Sequence, residues 1–320
     1  MEKPYVIGID IGGTNTIFGI VDARGVILNN DSIRTWDYPE IEAYIAALTE
    51  RLRNMIQQAG GPELIKGIGV GAPMGNYING NIEYAVNLPW KGIIPLAKLI
   101  SEMTYGIPVS VTNDANAAAI GEMTYGAARG MKDFIEIALG TGVGSGIVIG
   151  GHLVYGHNGF AGELGHVIMR RENGRLCGCG RHGCLEAYTS ATGVARTARE
   201  LLEQRSDPSL LRRLDPETIT SKDVYEAAKQ GDALSLEIFE LTGAILGEAF
   251  ADFIAFSTPE AIILCGGLAK SGSLLLDPIQ RSLDKHVLSM FAGVKLLISH
   301  LKESDAAILG ASALGWESKG

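Results

Sequence analysis

Three of the four cysteines fall within eight positions and form a candidate metal site. The segment reads Cys177-Gly-Cys179-Gly-Arg-His-Gly-Cys184, and His166 lies upstream of it. Three thiolates and one imidazole are a ligand set of structural zinc, and the intervening glycines allow the chain to close around a small ion. His182 is a rival for the imidazole position, and disulfide pairing is an alternative use of the thiols, which a reducing compartment disfavours. Because the protein would fill all four coordination positions, we expect a structural Zn²⁺ and not a catalytic one.

Carboxylates at the ends of two predicted strands are candidates for catalysis. Asp10 ends an apolar run near the start of the chain, and Asn113-Asp114 follows the strand-like run from Val109 to Val111. In α/β proteins ligands bind at the carboxyl ends of strands, so both positions are expected at a binding cleft. The alternative is a local role, in which Asp10 starts a turn and Asn113-Asp114 caps the following helix.

Further polar groups near the metal-binding segment suit a ligand rich in hydroxyl groups. Glu163 lies three residues before His166, and Glu186 lies two residues after Cys184, so a bound metal would fix both carboxylates in space. Carboxylate oxygens accept hydrogen bonds from hydroxyl groups. Asn87, in a predicted loop, adds another polar group.

Three turns of small residues follow apolar strands and are candidates for binding phosphate. They are Asp10-Ile-Gly-Gly-Thr14, Gly140-Thr-Gly-Val-Gly-Ser-Gly146 and Gly266-Gly267. Glycine lets backbone N–H groups approach phosphate oxygens, and threonine adds a hydroxyl donor. Neither the P-loop pattern nor the GxGxxG dinucleotide pattern is present. Each turn alone could be a tight hairpin, but three turns, one with an aspartate suited to Mg²⁺, favour phosphate binding.

The spacing of apolar residues predicts an α/β protein whose strands cluster at the start of each half. An antiparallel meander opens the chain at Tyr5–Asp10, Asn15–Val21 and Gly25–Leu28. Further strands are predicted at 65–70, 108–111, 133–139, 145–149, 261–265 and 294–298, and helices at 41–58, 95–103, 115–127, 185–204, 221–230, 233–256, 274–290 and 306–316. Gly13-Thr14 and Gly19-Ile-Val recur 127 positions later, as Gly140-Thr141 and Gly146-Ile-Val, which predicts a duplicated fold.

The composition is that of a folded protein with two domains. The 320 residues are 46% hydrophobic and include 42 glycines, roughly twice the usual share. The net charge of −9, without a basic cluster, argues against DNA binding and membrane-surface binding. No apolar stretch reaches the length of a spanning helix. The first predicted strand begins at Tyr5, and the four residues before it leave no room for a signal peptide or for a DNA-binding motif ahead of the fold. We therefore expect neither, and we expect a cytoplasmic location.

Five motifs together resemble the ROK (repressor, open reading frame, kinase) family of sugar kinases and sugar-responsive repressors. In chain order they are Asp10-Ile-Gly-Gly-Thr14, Asn113-Asp114-Ala-Asn116-Ala, Leu139-Gly-Thr-Gly142, Gly162-Glu-Leu-Gly-His166 and Cys177-Gly-Cys-Gly-x-x-Gly-Cys-Leu-Glu186. Within the family the chain is most similar to bacterial ATP-dependent glucokinases. The resemblance implies a duplicated actin-like (ribonuclease H-like) ATPase fold with two domains around a cleft. Residues 1–114 and the C-terminal helix 305–320 would form the smaller domain, and residues 115–304 the larger, with a zinc-binding insertion around 162–186.

The same resemblance implies ATP-dependent phosphorylation of a hexose at its 6-hydroxyl, with glucose as the expected substrate. Asp114 would be the general base that takes the hydroxyl proton, and Mg²⁺ would sit by Asp10 and the phosphates. The residues implied to bind ATP are Asp10, Gly12, Gly13, Thr14, Gly140, Thr141, Gly142, Gly266 and Gly267. Those implied to bind the sugar are Asn87, Asn113, Asp114, Glu163, His166 and Glu186, and those implied to bind zinc are His166, Cys177, Cys179 and Cys184.

Two positions depart from the family pattern, and other functions stay open. Met74 stands where the family often has glycine, unless the loop shifts by one residue, and Cys265 replaces the first of three glycines and is expected to be a plain core residue. The alternatives are a kinase for fructose, mannose, allose, N-acetylglucosamine or N-acetylmannosamine, and a non-catalytic sugar sensor or regulator. The resemblance also implies a homodimer or homotetramer.

Overall fold

The computed structural model describes residues 3–317 of the chain. Its strands are β1 (Tyr5–Ile11), β2 (Asn15–Asp22), β3 (Ile27–Arg34), β4 (Ile65–Gly71), β5 (Gly75–Asn76), β6 (Asn81–Glu83), β7 (Ile93–Ile94), β8 (Val109–Thr112), β9 (Phe134–Leu139), β10 (Val143–Ile149), β11 (His152–Leu153), β12 (Ala261–Cys265) and β13 (Lys295–Ile298). Its α-helices are α1 (Ile41–Gln58), α2 (Leu96–Met103), α3 (Asp114–Tyr125), α4 (Glu186–Thr189), α5 (Ala191–Gln204), α6 (Ser221–Lys229), α7 (Ala233–Ser257), α8 (Ser273–His286) and α9 (Glu303–Glu317). None of the helices within this described range is both long enough and apolar enough to span a bilayer.

Two five-stranded sheets share one strand order and one pattern of strand directions. The first has the order β3-β2-β1-β4-β8 and the second the order β11-β10-β9-β12-β13. In each sheet an antiparallel meander of three strands is extended, beside its first strand, by two parallel strands. The predicted α/β class and duplicated fold are therefore confirmed. A small third sheet, β5-β6-β7, lies in the connection between β4 and α2 and was not predicted.

Helices cover both faces of the first sheet, so its central strand β1 is almost entirely apolar. On one face Ile7 and Ile9 pack in the same core as Leu48 of α1. On the other face α9 lies directly on the backbone of the sheet, because a Cβ added at Gly8 would be 2.1 Å from the carbonyl oxygen of Ile308. Glycine at this point of the strand allows the close approach of the helix.

The second sheet lies between four helices on one face and α3 on the other. Helices α5, α6, α7 and α8 share its larger core, whereas Ala119 of α3 packs with Phe134 and Val148 on the opposite face. Helix α3 also crosses α9, where a Cβ added at Gly121 would lie 2.7 Å from Cα of Gly310. The two halves of the molecule therefore meet along these two helices.

The predicted division into residues 1–114 plus 305–320 and residues 115–304 stays a prediction. The packing of α9 on the first sheet and of α3 on the second sheet supports it. Residues 318–320 of the predicted C-terminal segment lie outside the described residues.

The single helix predicted at 185–204 is wrong, because the chain breaks at Ser190. Ser190 is extended (φ −74°, ψ 168°) and its hydroxyl accepts a hydrogen bond of 3.0 Å from the N–H of Gly193. It therefore acts as the N-cap of α5 and separates this helix from the short α4.

Two other elements differ in extent from the prediction. Strand β3 continues to Arg34, beyond the predicted end at Leu28, because an edge strand tolerates the polar run Asn29–Ser32. Helix α8 ends at His286 and not at Met290, since Val287 adopts an extended conformation.

Candidate active site

Two turns of small residues occupy corresponding places in the two halves. Gly12–Thr14 connects β1 to β2, and Gly140–Gly142 connects β9 to β10. The threonine of each turn is exposed, so its hydroxyl group is accessible to a ligand. Thr35 supports the first turn, because its hydroxyl donates to the carbonyl oxygen of Gly12 (2.8 Å) and its N–H donates to that of Thr14 (3.0 Å). Sequence reasoning did not identify Thr35.

Asp10 lies near the end of β1 and close to Asp114. The space that a side chain at Gly71 would occupy lies 3.5 Å from Oδ1 of Asp10 and 3.7 Å from Cα of Asp114. Burial, and to a smaller extent the charge of Asp114, raises the pKa of Asp10 to about 7. Carboxylate oxygens are hard ligands, so this position fits Mg²⁺ held together with phosphate groups.

Asn113 and Asp114 differ in their roles at the start of α3. The side-chain oxygen of Asn113 accepts a hydrogen bond of 2.7 Å from the N–H of Asn116, so Asn113 is the N-cap residue. Asp114 is the first helical residue, and its carboxylate is exposed and accepts a hydrogen bond of 2.9 Å from the N–H of Ala115. The predicted capping alternative thus describes Asn113, whereas Asp114 remains accessible to a substrate.

A cavity of about 340 Å³ lies between the two halves, beside both aspartates. Asp10 and Gly12 line it from the first half, Asp114 from α3, and Cys265 and Gly266 from the second half. The end of β1, the start of α3 and the end of β12 therefore open into one space.

The residues at the end of β12 and just after it differ in whether the local backbone requires glycine. Gly266 has a φ of +87°, and a Cβ there would lie 2.5 Å from the carbonyl oxygen of Leu139, so only glycine fits. Gly267 lies outside the cavity lining, and a Cβ there would meet nothing within 4 Å. Cys265 is half-buried, lines the cavity and donates a hydrogen bond to Glu136. The prediction of a plain core residue is wrong for Cys265, because the end of β12 lies at the cleft.

Four potential metal ligands come together in the connection between β11 and α4. His166, Cys177, Cys179 and Cys184 each offer one ligand atom, and these atoms lie within 4.8 Å of one another. Nδ1 of His166 is 3.8 Å from Sγ of Cys177, and the sulfurs of Cys179 and Cys184 are 3.7 Å apart. His182 instead donates from Nδ1 to the carbonyl oxygen of Gly174 (2.9 Å).

The cluster fits a tetrahedral zinc ion. With Zn–S bonds of about 2.3 Å, tetrahedral geometry separates two sulfur ligands by roughly 3.8 Å. The sulfurs of Cys179 and Cys184 are 3.7 Å apart, close to this value, and the donor set contains three thiols and one imidazole. The choice between His166 and His182, which the sequence left open, therefore favours His166.

Two glutamates lie near the metal cluster, and one of them, Glu163, is close enough to Asp114 at the start of α3 to respond to its charge. Glu163 is exposed, and partial desolvation raises its pKa; His166 opposes this shift, whereas the charges of Asp114 and Glu186 add to it. Oε2 of Glu186 accepts a hydrogen bond of 2.9 Å from the N–H of Val143. The structure thus brings Glu163, His166 and Glu186 together, with Asp114 near Glu163.

The connection between β6 and β7, which contains Asn87, lies close to the Gly12–Thr14 turn. Asn87 is exposed, and its carbonyl oxygen lies 3.3 Å from the position that a Cβ at Gly13 would occupy. Met74 has a φ of +56°, in the left-handed region where glycine is favoured. This conformation fits methionine standing in a glycine position, and the register of the loop against the family pattern stays a prediction.

Comparisons with known proteins agree over the length of the chain. Residues 6–317 match the ROK family. A glucokinase of Halalkalibacterium halodurans is 38% identical over 330 residues, covering 99% of this chain and 95% of that protein. A glucokinase of Thermotoga maritima is 33% identical over 317 residues, covering 98% of each. The crystal structure of a ROK family glucokinase from Streptomyces griseus in complex with glucose and AMPPNP is 33% identical, with a TM-score of 0.77, and covers 98% of this chain and 99% of that one.

Proposed function

Because the chain belongs to the ROK family, we propose that it is an ATP-dependent hexose kinase that converts glucose to glucose 6-phosphate. The observation that carries this proposal is the position of Asp114. Its exposed carboxylate borders the cavity shared with Asp10 and Gly266 and lies close enough to Glu163 for its charge to raise the pKa of that glutamate. The relatives named glucokinase, and the related structure that contains glucose and AMPPNP, support the choice of substrate.

Asp114 would act as the general base. Phosphoryl transfer requires the 6-hydroxyl to lose its proton as its oxygen attacks the γ-phosphorus of ATP, and an aligned carboxylate can accept that proton. Asp114 is held at the first turn of α3, so its backbone position is fixed while its side chain reaches the cleft. Such a base contributes about 10²- to 10⁴-fold in rate.

The phosphates of ATP would lie between the two glycine turns. Gly12, Gly13 and Thr14 would contact them from the first half, and Gly140, Thr141 and Gly142 from the second half, with Gly266 and Gly267 beside the nucleotide. When bound, Mg²⁺ supplies charge stabilisation to the phosphates, and Asp10 is the residue of the chain that would hold it.

The sugar would be held by Asn87, Asn113, Asp114, Glu163, His166 and Glu186. Since Nδ1 of His166 faces Cys177, the opposite ring nitrogen would meet a sugar hydroxyl. A zinc ion held by His166, Cys177, Cys179 and Cys184 would keep His166 and Glu186 in place and take no part in the reaction. Because these thiols must stay reduced, we also expect a cytoplasmic location. A homodimer or homotetramer is expected, which light scattering would test.

The first experiment measures ADP release from Mg-ATP with glucose, mannose, fructose, allose, N-acetylglucosamine and N-acetylmannosamine, with zinc determined in the same preparation. We expect glucose to have the highest kcat/KM. Asp114→Asn should lose about 10²- to 10⁴-fold in kcat and still bind glucose in calorimetry. The control is Asp207→Asn, in an exposed loop, which should keep full activity.

Two results would contradict the proposal. Near-normal turnover by Asp114→Asn would show that Asp114 is not the base. A zinc-loaded protein that binds a sugar but releases no ADP with any of the six would be a sensor and not a kinase.

A further inference from the structure

The turn Gly140–Gly142 is supported from one side by the segment that contains α4 and the start of α5. The N–H of Ala191 donates to the carbonyl oxygen of Gly140 (2.8 Å), and the hydroxyl of Thr192 donates to that of Thr141 (2.9 Å). The carboxylate of Glu186 accepts from the N–H of Val143 at the end of the turn. These three hydrogen bonds hold the turn at both ends and in the middle.

The first half supports its own turn from the equivalent place in the fold. Thr35 follows the third strand of the first sheet and precedes α1, and its hydroxyl donates to the carbonyl oxygen of Gly12. Thr192 lies in the connection from the third strand of the second sheet, at the start of α5. In each half, a threonine that follows the third strand, before α1 in the first half and in the first turn of α5 in the second, thus donates to a carbonyl oxygen of the glycine turn.

The break at Ser190 is what allows Thr192 to reach the turn. Because Ser190 is extended, α5 begins anew beside Gly140–Gly142, and the hydroxyl groups of Ser190 and Thr192 are 2.9 Å apart. Thr192 is exposed, so its hydroxyl is not part of the buried core. The contact with Thr141 therefore fixes the turn without being part of the core.

We propose that Thr192 is a positioning residue for ATP, which sets the place of the Gly140–Gly142 turn as Thr35 sets that of Gly12–Thr14. This inference rests on the proposed kinase function. Thr192 would act through Thr141, whose exposed hydroxyl and backbone would meet the phosphates. Loss of the Thr192 hydroxyl would leave the turn more mobile and weaken the binding of nucleotide, while the sugar side of the cleft would not change.

The test compares Thr192→Val, which keeps the shape but loses the donor, with Thr192→Ser, which keeps the donor. Titration with Mg-AMPPNP in a calorimeter should give a Kd about three- to tenfold higher for the valine variant, the effect of one neutral hydrogen bond. The KM for ATP should rise by a similar factor. The Kd for glucose should stay within twofold of wild type, and the serine variant should behave as wild type throughout.

Hydrogen exchange in the ligand-free protein gives a second readout, independent of activity. The amides of residues 139–144 should exchange faster in Thr192→Val than in wild type or Thr192→Ser. A valine variant that binds Mg-AMPPNP as tightly as wild type would overturn the inference, as would unchanged exchange in the turn. Failure of the proposed kinase function would look different, because wild-type protein itself would then bind no nucleotide.

Discussion

The thiol of Cys265 donates a hydrogen bond to Oε1 of Glu136, across the neighbouring strands β12 and β9. Glu136 is fully buried, and its other oxygen, Oε2, has no hydrogen-bonding partner in the part of the chain that the structure describes. Burial raises the pKa of Glu136 to about 8; the thiol opposes this shift, whereas the charges of Glu122 and Asp114 add to it. Glu136 is therefore mostly protonated at neutral pH.

Replacement of this buried carboxyl group should change how stability depends on pH. In the unfolded chain Glu136 ionises near pH 4.5, but in the folded protein only near pH 8, so the wild-type free energy of unfolding should fall as pH rises between these values. Glutamine does not ionise, so the free energy of unfolding of Glu136→Gln should not fall in this way. The difference between variant and wild type should therefore increase by a few kcal/mol over this range and then level off. Urea unfolding from pH 5 to pH 9 measures the difference. The exposed Glu217→Gln is the control, and a constant offset between Glu136→Gln and wild type would contradict the prediction.

The identity of the imidazole ligand can be tested by metal content. His166→Ala should be purified with much less than one zinc per chain, because one of four ligands is lost. His182→Ala should keep its zinc, since its ring bonds to the carbonyl oxygen of Gly174 and lies outside the cluster. Elemental analysis of both variants decides the point, and the opposite pattern would assign the site to His182.

Two glycines of the same turn should respond differently to an added methyl group. A Cβ at Gly142 would lie 2.5 Å from Oε2 of Glu186, whereas a Cβ at Gly140 would meet nothing within 4 Å. The Glu186 side chain can move away only by giving up its hydrogen bond to the N–H of Val143, so Gly142→Ala should lower the free energy of unfolding of the ligand-free protein by about 0.5–1.5 kcal/mol. Gly140→Ala should leave it within about 0.5 kcal/mol of wild type. Equal effects of the two substitutions on chemical denaturation would show that Glu186 does not pack against the turn.

Met74 should tolerate glycine better than alanine. Its φ of +56° is strained for any residue with a Cβ, and the side chain is 41% exposed, so little packing is lost on truncation. Met74→Gly should be as stable as wild type, or more stable by up to about 1 kcal/mol, while Met74→Ala keeps the strain. Thermal unfolding of the pair measures this difference, which would vanish if the loop relaxed.

The sequence predicted well those features that repeat along the chain. Helix α1 has the predicted bounds, Ile41–Gln58, because its apolar residues recur at helical spacing over five turns. The Gly-Thr repeat predicted the duplication, and cysteine spacing predicted the metal cluster. The break at Ser190 was missed because one capping serine within an otherwise helical pattern gives a weak signal.

Single polar residues with no motif around them could not be predicted. Glu136 lies in an apolar strand, where its burial depends on the second sheet and its helices. Thr35 and Thr192 are equivalent in the fold but not at the repeat distance, since an offset of 127 maps Thr35 onto Gly162. The metal-binding segment is inserted between β11 and α4 and lengthens the connection that leads to Thr192. Only the strand topology therefore relates the two threonines.

The packing of α9 on the first sheet has a consequence for synthesis of the protein. Val6 and Val21 belong to a cluster that Ile308 and Leu309 complete, although 287 to 303 positions separate them in the chain. The first sheet therefore keeps one apolar face open until α9, the last helix of the described chain, is free to pack on it, although the strands of this sheet are made first. The half of the protein that is made first cannot complete its core before the helix at the far end of the described chain has been made.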